Sequence, residues 1–256
     1  MLSFSRTTYF KLIGFFVFFS ACTCYATTLT VVTLDNPPLT YSEEGKRKGI
    51  LYDYVKKILS DLNLSAQIKI KPWKRALSEV EHGQADIIYN AAKNPKREKY
   101  LIYTQEVLYN EEYVLFMKVN TQKSYSSSML STLKLATQLG YHYGGELQSY
   151  LDRKHFAGRK EVKNIATMIN LLNKGRVDAF IADKHPALFY LSKMKINDIE
   201  MVAEANLPLK YFQSPTYLAV SKKSKLVDLP QKIDQALKKL KNDNYLNKII
   251  HQYTGR

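Results

Sequence analysis

The chain has 256 residues, 45% of them hydrophobic and 24% charged, a globular composition that excludes a disordered, collagenous or membrane-bundle chain. Lys and Arg number 38 against 23 Asp and Glu, a formal excess of +15 that favours anionic partners without naming one. Both cysteines lie within the first 26 residues. There Arg6 and Lys11 precede the apolar run 12–19, and small residues lead on to Ala26. That order predicts a secretory signal peptide over residues 1–26, its apolar run being shorter than the roughly 20 residues of a bilayer span. Cleavage after Ala26 removes Cys22 and Cys24 and leaves no disulfide, thiolate metal site or Cys nucleophile. Phe19-Ser-Ala-Cys22 carries the alternative of a lipoprotein site with Cys22 acylated.

In chain order, Leu29-Thr-Val-Val-Thr-Leu34 reads as a strand ending in the turn Asn36-Pro37-Pro38. Residues 49–62 place Ile50, Tyr54, Val55, Ile58, Leu59 and Leu62 on one helical face. Residues 66–71 alternate like a strand, and Trp73 to His82 reads as a helix stopped by Gly83. The order βαβα predicts an α/β layer with a largely parallel sheet. An internal echo follows: Val80-Glu-His-Gly83-Gln-Ala-Asp86-Ile-Ile-Tyr-Asn90 resembles Leu172-Asn-Lys-Gly175-Arg-Val-Asp178-Ala-Phe-Ile-Ala182, 92 residues apart at both the Gly and the Asp. Each copy reads as a helix end, a Gly cap and a short buried strand, with Asp86 and Asp178 in structural roles. Beyond the strands lie Asn90 to Arg97 and Asp183 to Pro186, at the carboxyl ends where open α/β sheets bind ligands. The strand-like segments 112–120 and 215–221 are the expected connections between two lobes, paired as a hinge. Residues 226–253 have helical spacing.

No phosphate-binding Gly-rich loop, serine elbow or His-Glu-x-x-His occurs, and the five histidines lack metal-ligand spacing. The expectation is no catalytic residue, no metal and no cofactor. The basic residues fall in separated clusters with no nucleic-acid module, so nucleic acid is not an expected partner.

The segments Trp73-Lys-Arg-Ala-Leu, Gly83-Gln-Ala-Asp86-Ile-Ile-Tyr and Asn94-Pro-Lys-Arg97-Glu-Lys-Tyr-Leu-Ile-Tyr-Thr resemble the first lobe of the type II periplasmic solute-binding proteins of polar amino acid ABC importers, the bacterial extracellular solute-binding protein family 3. Gly140-Tyr-His-Tyr-Gly144-Gly-Glu-Leu and Gly175 to Asp183 resemble its second lobe. The resemblance implies an α/β, two-lobe Venus-flytrap fold with two hinge crossovers. Lobe 1 then takes residues 27–118 plus 217–256, and lobe 2 takes residues 119–216.

The resemblance further implies a periplasmic monomer that captures a small polar, carboxylate-bearing solute, such as an amino acid, for an inner-membrane ABC permease. Arg97 would meet a carboxylate bidentately, its guanidinium matching two oxygens. Asp183 would hold the solute's amino group, with an N-cap for the following helix as its other reading. Backbone N–H groups of the turn Gly140-Tyr141-His142-Tyr143-Gly144 suit an anion, with those side chains as walls. Asn90 leaves the first echoed strand. Asn36, Tyr41 and Trp73 face the cleft by analogy, although a Trp at a helix start is otherwise core. The chain departs from the family at Ala92, where a hydroxyl is often found, and at Asn36-Pro37-Pro38, where an aromatic often precedes the turn. Two alternatives remain: a dehydratase of the same fold acting on cyclic carboxylates such as prephenate, with its acid among Glu106, Glu111 and Glu112, and a ligand-sensing subunit acting in trans.

Overall fold

A computed structural model describes residues 28–119, 131–153, 156–202 and 212–254. The expected signal peptide, with Cys22, lies outside them, as does Asn120 at the end of one expected connection. Strand β1 (Leu29–Thr33) lies between β4 (Ala66–Ile70) and β5 (Ile87–Ala92), parallel to both. This is the parallel layer that the βαβα order predicts. Every residue of β5 is buried, as a strand covered by helices on both faces requires.

On one face of this layer pack α1 (Ile50–Asp61) and two helices from the far end of the chain, α7 (Leu229–Asn242) and α8 (Tyr245–Thr254). Ile50, Tyr54, Val55, Ile58 and Leu59 of α1 face that core as their spacing predicts, joined by Leu51, while Leu62 is only half-buried. On the other face lies α2 (Trp73–Glu81), with Trp73, Ala76 and Val80 buried. A short hairpin of β2 (Tyr41–Glu43) and β3 (Lys46–Lys48) precedes α1.

The second layer repeats the plan. Strand β10 (Ala179–Asp183), also buried throughout, runs parallel to β8 (Lys134–Gln138), which is parallel to β9 (Gly158–Val162). Helices α5 (Ile165–Asn173) and α6 (Lys184–Lys193) cover one face, and α4 (Gly145–Asp152) covers the other.

Strands β7 (Tyr109–Lys118) and β12 (Phe212–Ser221) join the layers. Residues 109–113 of β7 pair antiparallel with residues 212–216 of β12. Beyond that shared stretch β7 continues against β10, and β12 continues against β5 and β6 (Leu101–Tyr103). Each strand begins three residues earlier than its sequence pattern suggests, because the added residues pair with the opposite strand across the junction. The two-lobe fold with two crossovers is therefore the fold observed. Short β11 (Ile199–Met201) pairs with the end of β7. No helix among the described residues is long and apolar enough to cross a membrane.

Candidate functional site

On the first lobe, the β5–β12 ladder shifts register between Tyr217 and Ala219, so that Tyr89 and Asn90 oppose Leu218 alone. Such a bulge re-aims a side chain. Asn90 takes the left-handed conformation at φ 61°, which Asn tolerates better than most residues. Its buried amide donates to Glu111 Oε1 at 2.9 Å and accepts from Thr216 Oγ1 at 2.8 Å.

Two residues past β5, Asn94 caps the one-turn helix α3 (Pro95–Glu98) by accepting from the Arg97 amide at 2.9 Å, with Pro95 at its first position. This fixes the backbone that carries Arg97, which is only 4% exposed. Arg97 Nη1 donates to the Ala92 carbonyl at 2.8 Å, and Nη2 donates to the Gly140 carbonyl of the other lobe at 3.0 Å. The guanidinium lies 5.4 Å from the Trp73 ring centroid. Among the described residues its hydrogen-bond partners are neutral groups.

On the second lobe, Tyr141 sits against Trp73 with ring centroids 6.1 Å apart, and against Tyr143 at 5.9 Å. Tyr143 in turn meets Tyr113 at 4.8 Å. This aromatic file crosses from one lobe to the other. With the Arg97–Gly140 contact it holds the lobes together; a cleft of about 480 Å³ opens between them beside Arg97, Tyr141 and His142, and a second, small cavity of about 10 Å³, about one water, adjoins it.

Trp73, Asn90, Ala92, Arg97, Tyr141 and His142 line that cavity. Sequence reasoning assigned no ligand role to its other two lining residues, Glu111 and Tyr113. Tyr143 lies behind, its hydroxyl accepting from the Gln138 amide at 2.7 Å. Asn36 and Tyr41 stand apart from the cavity. Asn36 closes its turn through its main chain, with its buried Nδ2 unpartnered, and Tyr41 meets Phe189 of α6 at 5.9 Å between ring centroids.

Glu111, named only as one of three acids, is the one the fold buries, at 2% exposure. Glu106 pairs with Lys241 and Lys238, and Glu112 pairs with Lys184. Glu111 accepts from Asn90 and from the Tyr113 hydroxyl. Burial pushes its carboxyl up to about 7, against the pull of Tyr113, Asn90 and Arg97. A signal was present in the sequence. Strand β7 is apolar on both faces after its first residues, so one of two adjacent glutamates must enter the interior.

Asp183 ends β10 opposite Tyr113 and occupies the N-cap position of α6, but its side chain makes no capping bond. It is 2% exposed, and among the described residues neither carboxylate oxygen makes a well-formed hydrogen bond. It does not line the small cavity itself and lies beside Glu111 instead. Burial first, and then the Glu111 charge, hold its carboxyl well above the usual range; the nearby amides of Glu112 and His185 pull the other way. Ser214, opposite Glu111 on β12, also has a buried, unpartnered hydroxyl. His142 is half-buried, and burial and the Arg97 charge lower its pKa, so its ring is neutral at pH 7.

The sequence model described as bacterial extracellular solute-binding proteins, family 3, matches residues 29–256. L-cystine-binding protein TcyA of Bacillus subtilis (strain 168) is 23% identical over 231 residues, which cover 85% of this chain and 77% of that protein. An ancestral arginine-binding protein bound to arginine superposes with a TM-score of 0.74 at 23% identity, covering 89% of this chain and 98% of the other. The ancestral amino-acid-binding protein AncCDT-1, a precursor of cyclohexadienyl dehydratase, superposes with a TM-score of 0.70 at 20% identity, over 88% and 94% of the two chains.

Proposed function

For this chain, which belongs to the bacterial extracellular solute-binding proteins, family 3, we propose the capture of a small amino acid or related carboxylate in the periplasm, for delivery to an ABC permease. The observation that carries this reading is Arg97: a guanidinium buried between two lobes whose hydrogen-bond partners among the described residues are neutral, the main-chain carbonyls of Ala92 and Gly140 foremost. A carboxylate is the stronger, bidentate acceptor for that group. In this reading Arg97 exchanges its contact with Gly140 for the solute, and Asp183 receives the solute's ammonium. The lobes, taken as residues 27–118 with 217–256 and residues 119–216, move about the β7–β12 junction. A solute that touches both lobes only when they are closed shifts that equilibrium, and the permease reads the closed shape. The protein acts as a monomer, carried to the periplasm by its signal peptide.

The test is a thermal-shift screen of amino acids and organic acids, because a ligand that binds only the native state raises Tm. One or more amino acids stabilise the protein under this reading; stabilisation by none of them refutes it.

The buried Glu111, its carboxyl near 7, favours a second reading, an acid that protonates a leaving hydroxyl in a dehydratase. Incubation with prephenate followed by assay for phenylpyruvate separates the two. Turnover replaces the pure binding role, and its absence leaves capture standing.

A further inference from the structure

We propose that the cleft selects a solute with a second cationic group beyond the ammonium of a neutral amino acid, namely a dibasic amino acid or a close chemical relative. This rests on the reading above, in which Arg97 takes a carboxylate and Asp183 an ammonium. Glu111 on β7 and Asp183 on the adjacent β10 are both buried, and the Glu111 charge raises the electrostatic cost of ionising Asp183. Three of the five buried polar atoms left unpartnered among the described residues belong to this pair's surroundings: both oxygens of Asp183, opposite Tyr113, and the hydroxyl of Ser214, opposite Glu111. The surrounding groups do not neutralise the pair. The Tyr113 hydroxyl and Asn90 amide donate to Glu111 as neutral groups, and Lys184 is taken up by Glu112.

The cation that favours ionised Glu111 is Arg97, which lines the same cavity. Once a solute carboxylate occupies Arg97, Glu111 loses that compensation. One ammonium has three donors, enough for Asp183 and the Ser214 hydroxyl, and leaves Glu111 without a cation. Arg97, Glu111 and Asp183 together carry one excess negative charge when ionised. A solute of net charge +1 makes the closed site neutral, whereas a zwitterion leaves a buried charge uncompensated or forces the pair to keep a proton.

The test is calorimetric titration of the purified protein at neutral pH with L-arginine and L-citrulline, whose side chains match in shape and differ in charge. L-ornithine, L-glutamate and putrescine are the further arms. The expected result is binding of arginine or ornithine at least about tenfold tighter than citrulline, which is about 1.4 kcal/mol. Glu111→Gln should narrow that ratio to about threefold or less in a protein with unchanged circular dichroism. Equal affinity for arginine and citrulline overturns the inference, and needs no variant to do so. Tightest binding of glutamate also overturns it while leaving amino acid capture intact. Binding of putrescine but of no amino acid keeps cation selection and refutes the carboxylate role of Arg97. Binding of none of the five overturns the inference, and the wider amino acid screen then decides capture separately.

Discussion

The segment from Val80 to Asn90 and its echo from Leu172 to Ala182 fold alike, then diverge where the cleft begins. Gly83 and Gly175 both take positive φ, at 75° and 64°, and donate back to Val80 and Leu172. Asp86 and Asp178 each tie the start of the neighbouring parallel strand twice. Their amides donate to the carbonyls of Thr30 and Lys134 at 2.9 and 2.8 Å, and their carboxylates accept from the same residues' amides at 2.9 and 2.7 Å. Past that joint, β5 bulges at Asn90 and leads through a capped turn to Arg97, while β10 runs without a bulge to Asp183 and straight into α6. One joint, used twice, delivers a buried cation from one lobe and a buried acid from the other. The difference lies in the few residues after each strand, the carboxyl ends where α/β sheets bind.

If those two residues divide the work in this way, removing them should have unlike consequences. Arg97→Ala is expected to weaken the best carboxylate ligand by at least about 100-fold, the scale of deleting one partner of a buried charge pair. An unchanged affinity by calorimetry removes Arg97 from the site. Asp183→Asn should weaken an ammonium-bearing ligand by about 10–100-fold while raising the ligand-free Tm by a few degrees, roughly 1 kcal/mol, because it replaces an unpartnered buried acid. A loss of both binding and stability would mean that Asp183 serves the fold as well.

The acids also set a pH dependence. Burial raises Glu111 from 4.5 to about 7 and raises Asp183 as well, so the folded state holds protons that the unfolded chain has released. Ligand-free stability should therefore fall as pH rises from about 4.5 through about 7, and Glu111→Gln should flatten that fall. Denaturant melts at pH 5 and pH 8 measure it, and a stability that rises over this window contradicts the burial of the pair as ionisable groups.

Much of the scaffold was legible because it rests on local rules. The face of α1, the Gly-capped joints, the parallel βαβα layer and the tail helices follow from spacing and turn chemistry. Of the residues singled out for the candidate site, Trp73, Asn90, Ala92, Arg97, Tyr141 and His142 line one cavity. Glu111, Tyr113 and Ser214 escaped because they belong to the crossovers, where β7 and β12 meet after about 100 intervening residues. Which of Glu111 and Glu112 turns inward is fixed by that pairing. Tyr143 shows the converse: its turn neighbours Tyr141 and His142 reach the cavity, while its own ring completes the core beneath α4.

The smallest expected effect sharpens the comparison of the two joints. An alanine at either glycine must adopt positive φ, which costs roughly 1–2 kcal/mol for an L residue. At Gly175 a new Cβ meets nothing within 4 Å among the described residues, so the strain of positive φ is the penalty there. At Gly83 it stands 3.0 Å from Lys223 Cβ, an atom next to the backbone that cannot swing aside as a chain end can. Lys223 follows β12, whose last residue, Ser221, is fixed by bonds to Asp86 and to the Val80 carbonyl. Gly83→Ala should therefore cost about 0.5–1 kcal/mol more than Gly175→Ala in urea melts, in line with the price of modest overpacking. Equal costs would mean that Lys223 yields freely, and a larger cost at Gly175 would mean that the second joint carries a constraint the first lacks.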